Sequence, residues 1–323
     1  MLKHKKSKCF KFICIFFIFN TLFISGCNLR ENGITIKGVT FCITNGLEKS
    51  AVMRSGAYEL SKGQCKALMN IVCNGYTEVF TSDVWDTKLN DIEFTRIVSD
   101  LVKDIAARLI LVNLLADDKG ISLSPEQEND VENKILVLYD KEIINIEDVS
   151  LDEARALIRM IILSDKVYSE LTQKVNTQVS LDEARVVEVQ YIFSKDSIKK
   201  LENSKKDIES GIDFLAVAAK YSDSNEYVAE FGRGELALEF EEAVFNLNKD
   251  EVSDIISCDN GYYIVKCIND NVKDRAQAQK TKIIDKRKKE QFLSYLKDFS
   301  RDVSIYFDEK MWNKIYSEVS KLQ

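Results

Sequence analysis

From residue 91 onward the apolar positions recur at helical spacing. Phe94, Ile97, Leu101, Ile105, Val112 and Leu115 lie on one stripe, and Gly120 stands where such a helix would stop. Ser124, Pro125 and Gln127 then supply an N-cap, a proline at the first helical position and a capping-box partner. Val131, Ile135 and Leu138 continue that next helix. The hexapeptide Ser-Leu-Asp-Glu-Ala-Arg occurs at 150–155 and again at 180–185. Its flanks do not match, and each copy is explained locally as a capping box, Ser with Glu three residues on. The first copy launches a helix striped by Ala154, Leu157, Ile158, Ile161, Tyr168 and Leu171. The second opens a short turn. Upstream, Ser61 precedes a helical pattern over 65–73 that continues towards Phe80. Residues 28–60 fit short strands at 38–44 and 57–60, around Asn45-Gly46 and Ser55-Gly56 turns. This region reads as a bundle of long helices with no polar constellation inside it. Its stripes are core first and a client-binding surface second.

At Val186 the period changes from helix to strand. Residues 186–193 (Val-Val-Glu-Val-Gln-Tyr-Ile-Phe) have the β-branched and aromatic density of a strand. A polar helix over 195–210 ends at Gly211, and Phe214, Val217, Ala218 and Tyr221 form a second helical face. An irregular stretch follows, then a third face of Phe240, Ala243, Val244 and Leu247. Asp259-Asn260-Gly261 is a hairpin turn into a last strand, 261–268. The predicted class is α+β: a helical domain plus a module with a small antiparallel sheet flanked by helices. Residues 272–299 and a 306–319 tail are expected to return as helices. The implied division is 1–26, 27–179, 180–270 and 271–323, the last packing back on the second.

The amino end changes the picture of where the chain works. Residues 1–8 are basic, 10–24 almost wholly apolar, and the run closes Ile24-Ser25-Gly26-Cys27. A basic head, an apolar middle and small residues before a cut describe a secretory signal. The ending is similar to the bacterial lipobox, whose cysteine becomes the lipidated N-terminus; an uncleaved membrane helix is the alternative. Five of the 45 basic residues and none of the 52 acidic ones fall in 1–26, so the remainder carries 40 basic against 52 acidic, a net of −12. Such a chain is repelled by nucleic acid.

The single histidine, His4, lies in the signal. Its absence elsewhere excludes Ser-His-Asp and Cys-His catalytic sites and the common His-containing zinc sites. Beyond Cys27 there are five cysteines, Cys42, Cys65, Cys73, Cys258 and Cys267, with no CxxC pair. They read as small apolar residues, with one long-range bridge still open to an exported chain. Gly232-x-Gly234 lacks a third glycine, so no nucleotide fingerprint is present. No cofactor and no metal are expected. The six basic residues within 280–289 read as a solvated helix face, with contact to anionic lipid as the alternative.

The central module resembles the parvulin-type peptidyl-prolyl isomerases, and within them the PrsA-type foldase lipoproteins with a SurA-like helical chaperone region. The matching residues are 211–222 (Gly-Ile-Asp-Phe-Leu-Ala-Val-Ala-Ala-Lys-Tyr-Ser), 231–236 (Phe-Gly-Arg-Gly-Glu-Leu), 240–245 (Phe-Glu-Glu-Ala-Val-Phe), 250–253 and 261–266. The resemblance implies a membrane-anchored, extracytoplasmic isomerase or foldase of the Gram-positive type, lipidated at Cys27, whose partners are unfolded or extended secreted polypeptides. A homodimer is a further option. It implies Leu236, Phe240 and Phe193 as substrate-binding residues, although Leu236 and Phe240 would equally serve as plain core. The polar positions depart from the family pattern: Tyr191 and Tyr263 stand for its histidines, Ser224 for its Cys or Asp, and Cys258 for its threonine. One groove wall is shortened, because only residues 225–230 separate Ser224 from Phe231. Hydroxyls still donate hydrogen bonds there. A non-catalytic holdase that keeps the module for binding extended chains is therefore the alternative.

Overall fold

The structure is a computed structural model, and it describes residues 40–44, 47, 51–145 and 147–319. The signal, Cys27 and the Asn45-Gly46 turn lie outside the described residues. Two compact units are present. One is formed by the described residues up to Lys174 together with those from Lys289 on; the other is Val175–Lys288.

In the first unit, helix α1 (Lys62–Phe80) starts at Ser61, whose side chain accepts from the Gln64 amide while the Gln64 side chain accepts from Ser61 N. A 3-10 turn (Ser82–Asp86) and a two-residue hairpin, β4 (Lys88–Leu89) and β5 (Ile92–Glu93), lead into α2 (Phe94–Lys119). Gly120 caps α2 in the left-handed conformation. Helices α3 (Pro125–Asp140) and α4 (Leu151–Leu171) begin at the capping boxes of Ser124 and Ser150. Leu68, Leu109, Leu111, Leu115, Leu138 and Leu157 fill the space between these helices.

The same unit holds a sheet ordered β1 (Thr40–Thr44), β10 (Ser304–Asp308), β2 (Ala51–Ser55), β3 (Tyr58–Ser61). The expectation of a helical 306–319 tail needs correction here. Ile305 and Phe307 point inward and Ser304 and Tyr306 outward, a period of two that seats β10 parallel to β1 and antiparallel to β2. Only Glu309–Val319 is helix, α9, and its Trp312 is buried with Nε1 donating to Ser99 Oγ at 3.1 Å. The expectation of an apolar interior is also too simple. Asn113 Nδ2 donates to Leu109 O (2.7 Å) and Met160 O (3.0 Å) and lies 3.1 Å from Ser164 Oγ, all buried between α2 and α4. The Asn113 amide nitrogen and the Ser164 hydroxyl, which donates to Met160 O at 2.8 Å, are thus hydrogen-bonded, which is why the core tolerates them.

The second unit is a four-stranded antiparallel sheet ordered β7 (Val228–Gly232), β6 (Val186–Ser194), β9 (Gly261–Asn269), β8 (Ile256–Cys258). The stretch taken as irregular is in part an edge strand: β7 pairs with β6 from Val186↔Gly232 to Gln190↔Val228. One face of the sheet packs Ile192 and Ile264 under α5 (Ile198–Glu209) and α6 (Phe214–Tyr221), with Leu201, Phe214, Val217 and Ala218. The opposite face packs Val187, Val189, Val265 and Cys267 under α7 (Leu238–Asn246), with Phe240, Val244 and Phe245. Alternation along β6 and β9 decides which residue serves which helix layer. Helix α8 (Lys273–Phe299) follows β9. The class is α+β.

Candidate functional site

The α7 face of the second sheet is open at one end. Val187 and Val189 are covered, but two residues further on Tyr191 is only partly buried. On β9 the equivalent position is Tyr263, opposite Phe193 in the register. Its ring packs tilted against Phe193 (centroids 4.8 Å apart) and meets Phe240 of α7 edge-on at 4.7 Å. Phe231 of β7 meets Phe240 nearly perpendicularly at 6.1 Å. Tyr263, Phe240 and Phe231 line a cleft of about 290 Å³ with Tyr191, Glu235, Leu236, Ala237, Cys258 and Asn260.

Of the seven candidate catalytic and substrate-binding residues, Tyr191, Cys258, Tyr263, Leu236 and Phe240 line this cleft. Phe193 stands behind it, against Tyr263. Ser224 Oγ lies 3.5 Å from the Tyr191 hydroxyl and accepts from Glu226 N at 3.1 Å, so its oxygen is partly engaged in its own turn. That turn is pinned to β6: Asp223 N donates to Phe193 O (2.7 Å), and the Asp223 carboxylate accepts from Ser194 Oγ (3.0 Å), Lys195 N (3.0 Å) and Lys200 Nζ. The Lys200 bond first, then the Lys195 amide, holds the Asp223 carboxyl below its usual range against its partial burial. Leu236 and Phe240 prove to be core and wall at once, since both also pack in the α7 layer.

Asn260 occupies the hairpin turn that the sequence predicts. Its side chain does more: Nδ2 donates to the Tyr263 hydroxyl at 2.9 Å. The phenol oxygen is thereby an acceptor, and its own proton is free for another partner. Burial raises the Tyr263 pKa and the Asn260 bond opposes this, so the group stays a neutral donor. Burial also raises Cys258, reinforced by Glu239 and Asp259, which keeps it a thiol and a poor nucleophile. Gly261 is obligatory here: at φ +139° a Cβ would come within 2.7 Å of Phe193 Cε2 and Ser194 O. Glu235 was missed as well. Among the described residues it is the only charged side chain lining the cleft, with Oε2 accepting from Gly232 N at 2.9 Å. Nothing in its sequence neighbourhood distinguishes it from the acids around it.

Among the described residues no group of three His, Cys, Asp or Glu could hold a metal ion, and no helix is long and apolar enough to cross a membrane. Cys42, Cys65, Cys73, Cys258 and Cys267 are free thiols.

A four-stranded antiparallel sheet with two helices on one face, one on the other and an aromatic cleft at its open end defines the class. Residues 169–269 match the family described as "Rotamase: PPIC-type PPIASE domain". The chain is 26% identical over 265 residues to Foldase protein PrsA of Caldanaerobacter subterraneus subsp. tengcongensis, covering 77% of this chain and 79% of that one. It is 34% identical over 76 residues to peptidyl-prolyl cis-trans isomerase Pin1 of Arabidopsis thaliana, 22% of this chain and 64% of the relative. The crystal structure of peptidylprolyl isomerase PrsA from Bacillus cereus covers 72% of this chain and 97% of its own, at 18% identity and a TM-score of 0.41. The chain is thus similar to PrsA foldases over most of its length, and its residues 169–269 match the PPIC-type rotamase family.

Proposed function

We propose that this chain is an extracytoplasmic foldase, anchored to the cell membrane through lipidated Cys27, that binds proline-containing segments of unfolded secreted polypeptides and speeds rotation about their X–Pro bonds. The observation that carries the reading is the aromatic cleft, in which Tyr191 and Tyr263 meet Leu236 and Phe240. The rotamase match and the PrsA relatives support it. In this reading residues 180–270 act on the bond, while 27–179 and 271–323 form the region that holds the client.

Prolyl isomerisation breaks no σ-bond. The barrier, about 18–20 kcal/mol, is loss of amide resonance on twisting. The planar amide is the more dipolar form, so an apolar cleft that strips water from its carbonyl disfavours it relative to the twisted one. Leu236 and Phe240 would seat the proline ring, with Phe193 behind. Tyr263, whose oxygen already accepts from Asn260, would donate its proton to the twisting amide. Tyr191, with Ser224 and Cys258 beside it, would be the second polar contact.

The test is catalysis of cis/trans exchange in a proline peptide by the chain from residue 28 onward; no acceleration refutes isomerase activity. A second reading, a holdase with no turnover, is favoured by two observations: among the described residues Glu235 is the only charge lining the cleft, and Ser224 Oγ is engaged by its own turn. It expects suppression of client aggregation that survives Ser224→Ala and falls with Phe240→Ala. Equal suppression by both variants counts against it.

A further inference from the structure

A second apolar surface lies in the first unit. Val79 and Phe80, at the end of α1, are 58% and 55% exposed, and Leu89 and Ile92 of the β4–β5 hairpin are 60% and 40% exposed. Phe80 stands on an aromatic base, and the hairpin runs directly into Phe94 of the same base. The Phe80 ring stacks on Tyr76 (6.1 Å), Tyr76 packs edge-on against Phe94 (5.4 Å), and Phe94 contacts Trp85 (5.6 Å). The Trp85 indole donates to Thr77 Oγ1 at 3.0 Å, tying the 3-10 turn back to α1. The hairpin is short and well defined: Leu89 faces Ile92 across a turn in which Asn90 and Asp91 both have positive φ. Phe80 therefore stands in water on a base that packing holds in place, with Val79 beside it in sequence and Leu89 and Ile92 exposed on the hairpin that leads into that base. Isolated exposed apolar residues need no explanation, but a cluster on an aromatic base does.

Charge selects the occupant. The same stretch, 78–93, exposes Glu78, Asp83, Asp86, Asp91 and Glu93, and Lys88 is its only basic residue. None of the five carboxylates is ion-paired with another described residue. We infer that this surface docks a cationic amphipathic segment of an unfolded polypeptide, one that sets leucine-like side chains against Phe80, Leu89 and Ile92 and lysines or arginines against the carboxylates. An acidic partner is repelled here, and so is an anionic membrane. The occupant rests on the foldase reading above, but the surface does not depend on the aromatic cleft, because no proline is required.

The test measures binding of a short, proline-free, fluorescently labelled peptide of alternating leucine and lysine to the full chain by anisotropy. Its leucine–glutamate counterpart serves as control. The lysine peptide should bind and weaken as salt rises, and the glutamate peptide should not bind. Leu89→Ser with Ile92→Ser, at exposed positions that spare the fold, should weaken the lysine peptide at least about tenfold. Glu78→Gln with Asp83→Asn and Asp86→Asn should weaken it and remove most of the salt dependence. Circular dichroism checks that both variants are folded. Equal binding of the two peptides overturns the inference, as does indifference to both sets of substitutions. So does light scattering that finds self-association lost on Leu89→Ser, or binding to phosphatidylcholine vesicles in place of the peptide.

Discussion

Asp165 of α4 makes the first unit's stability depend on pH in an unusual direction. Its carboxyl sits beside Ile71, Leu138, Ile158, Ile161 and Ile162, with Lys134 the one cation in that group. Burial pushes it from the ordinary 3.8 up to about 7, and Lys134 only partly offsets this. Around pH 5 to 6 the folded chain therefore keeps a proton that the unfolded chain has released. The stabilisation is complete below 3.8 and is lost as pH rises through about 7. At about 1.4 kcal/mol per pH unit the whole interval amounts to at most about 4 kcal/mol, and the water that still reaches this partly buried group reduces it to about 2 kcal/mol. Asp165→Asn removes the titration while keeping shape and polarity. Urea unfolding followed by tryptophan fluorescence is the assay, because Trp85 and Trp312 both lie in the first unit. The variant should match the native chain near pH 4 and exceed it by about 2 kcal/mol at pH 8. Other groups titrate too, Asp104 among them, raised to about 6 by burial, but they are common to both proteins and cancel in the difference. A difference that does not change with pH would refute the reasoning.

Three further outcomes follow from the same contacts. Tyr263→Phe keeps the rings against Phe193 and Phe240 but removes the donor; peptide affinity should hold while catalysed cis/trans exchange falls about 10–100-fold. Glu153 accepts from Ser61 Oγ (2.5 Å), Ser150 N (3.0 Å) and Ser150 Oγ (2.8 Å). Burial works against these bonds, yet they hold its pKa below the usual 4.5. Glu153→Gln should thus cost about 1 kcal/mol at pH 7 in urea unfolding, with the gap closing as pH falls below about 4, the reverse of Asp165. Gly261→Ala forces a Cβ against Ser194 O and should lower the urea midpoint by the equivalent of about 2 kcal/mol or more, with loss of peptide binding as Phe193 and Tyr263 shift.

Local chemistry made much of this architecture legible. Ser124-Pro125 and Ser150 mark helix starts because a cap satisfies backbone donors within three residues, and no distant partner is needed. The second hexapeptide shows the same economy: Ser180 and Glu183 exchange the same two bonds, yet only a turn forms before Val186. What stayed hidden depends on distant segments. β10 is a strand because β1 and β2 flank it, and β7 because β6 offers an edge; five residues of weak alternation carry neither fact. The cleft follows the same rule. Tyr191, Leu236, Phe240, Cys258 and Tyr263 were named from motif order, whereas the hold of Asn260 on Tyr263 needs the hairpin already closed.

The seat of β10 constrains the order in which the chain can be assembled. Ser55 Oγ donates to Ser304 O across 249 residues, and Trp312 reaches Ser99 across 213. A polypeptide that emerges amino end first presents β1 and β2 with a strand-wide vacancy between them. That gap stays open until Ser304–Asp308 appears. The second unit, continuous from Val175 to Lys288, meets no such delay and can close while the first still waits. Truncation a few residues before Ser304 would leave two unpaired edges where a sheet should be, so a premature stop there is costly even though the whole second unit has already been made.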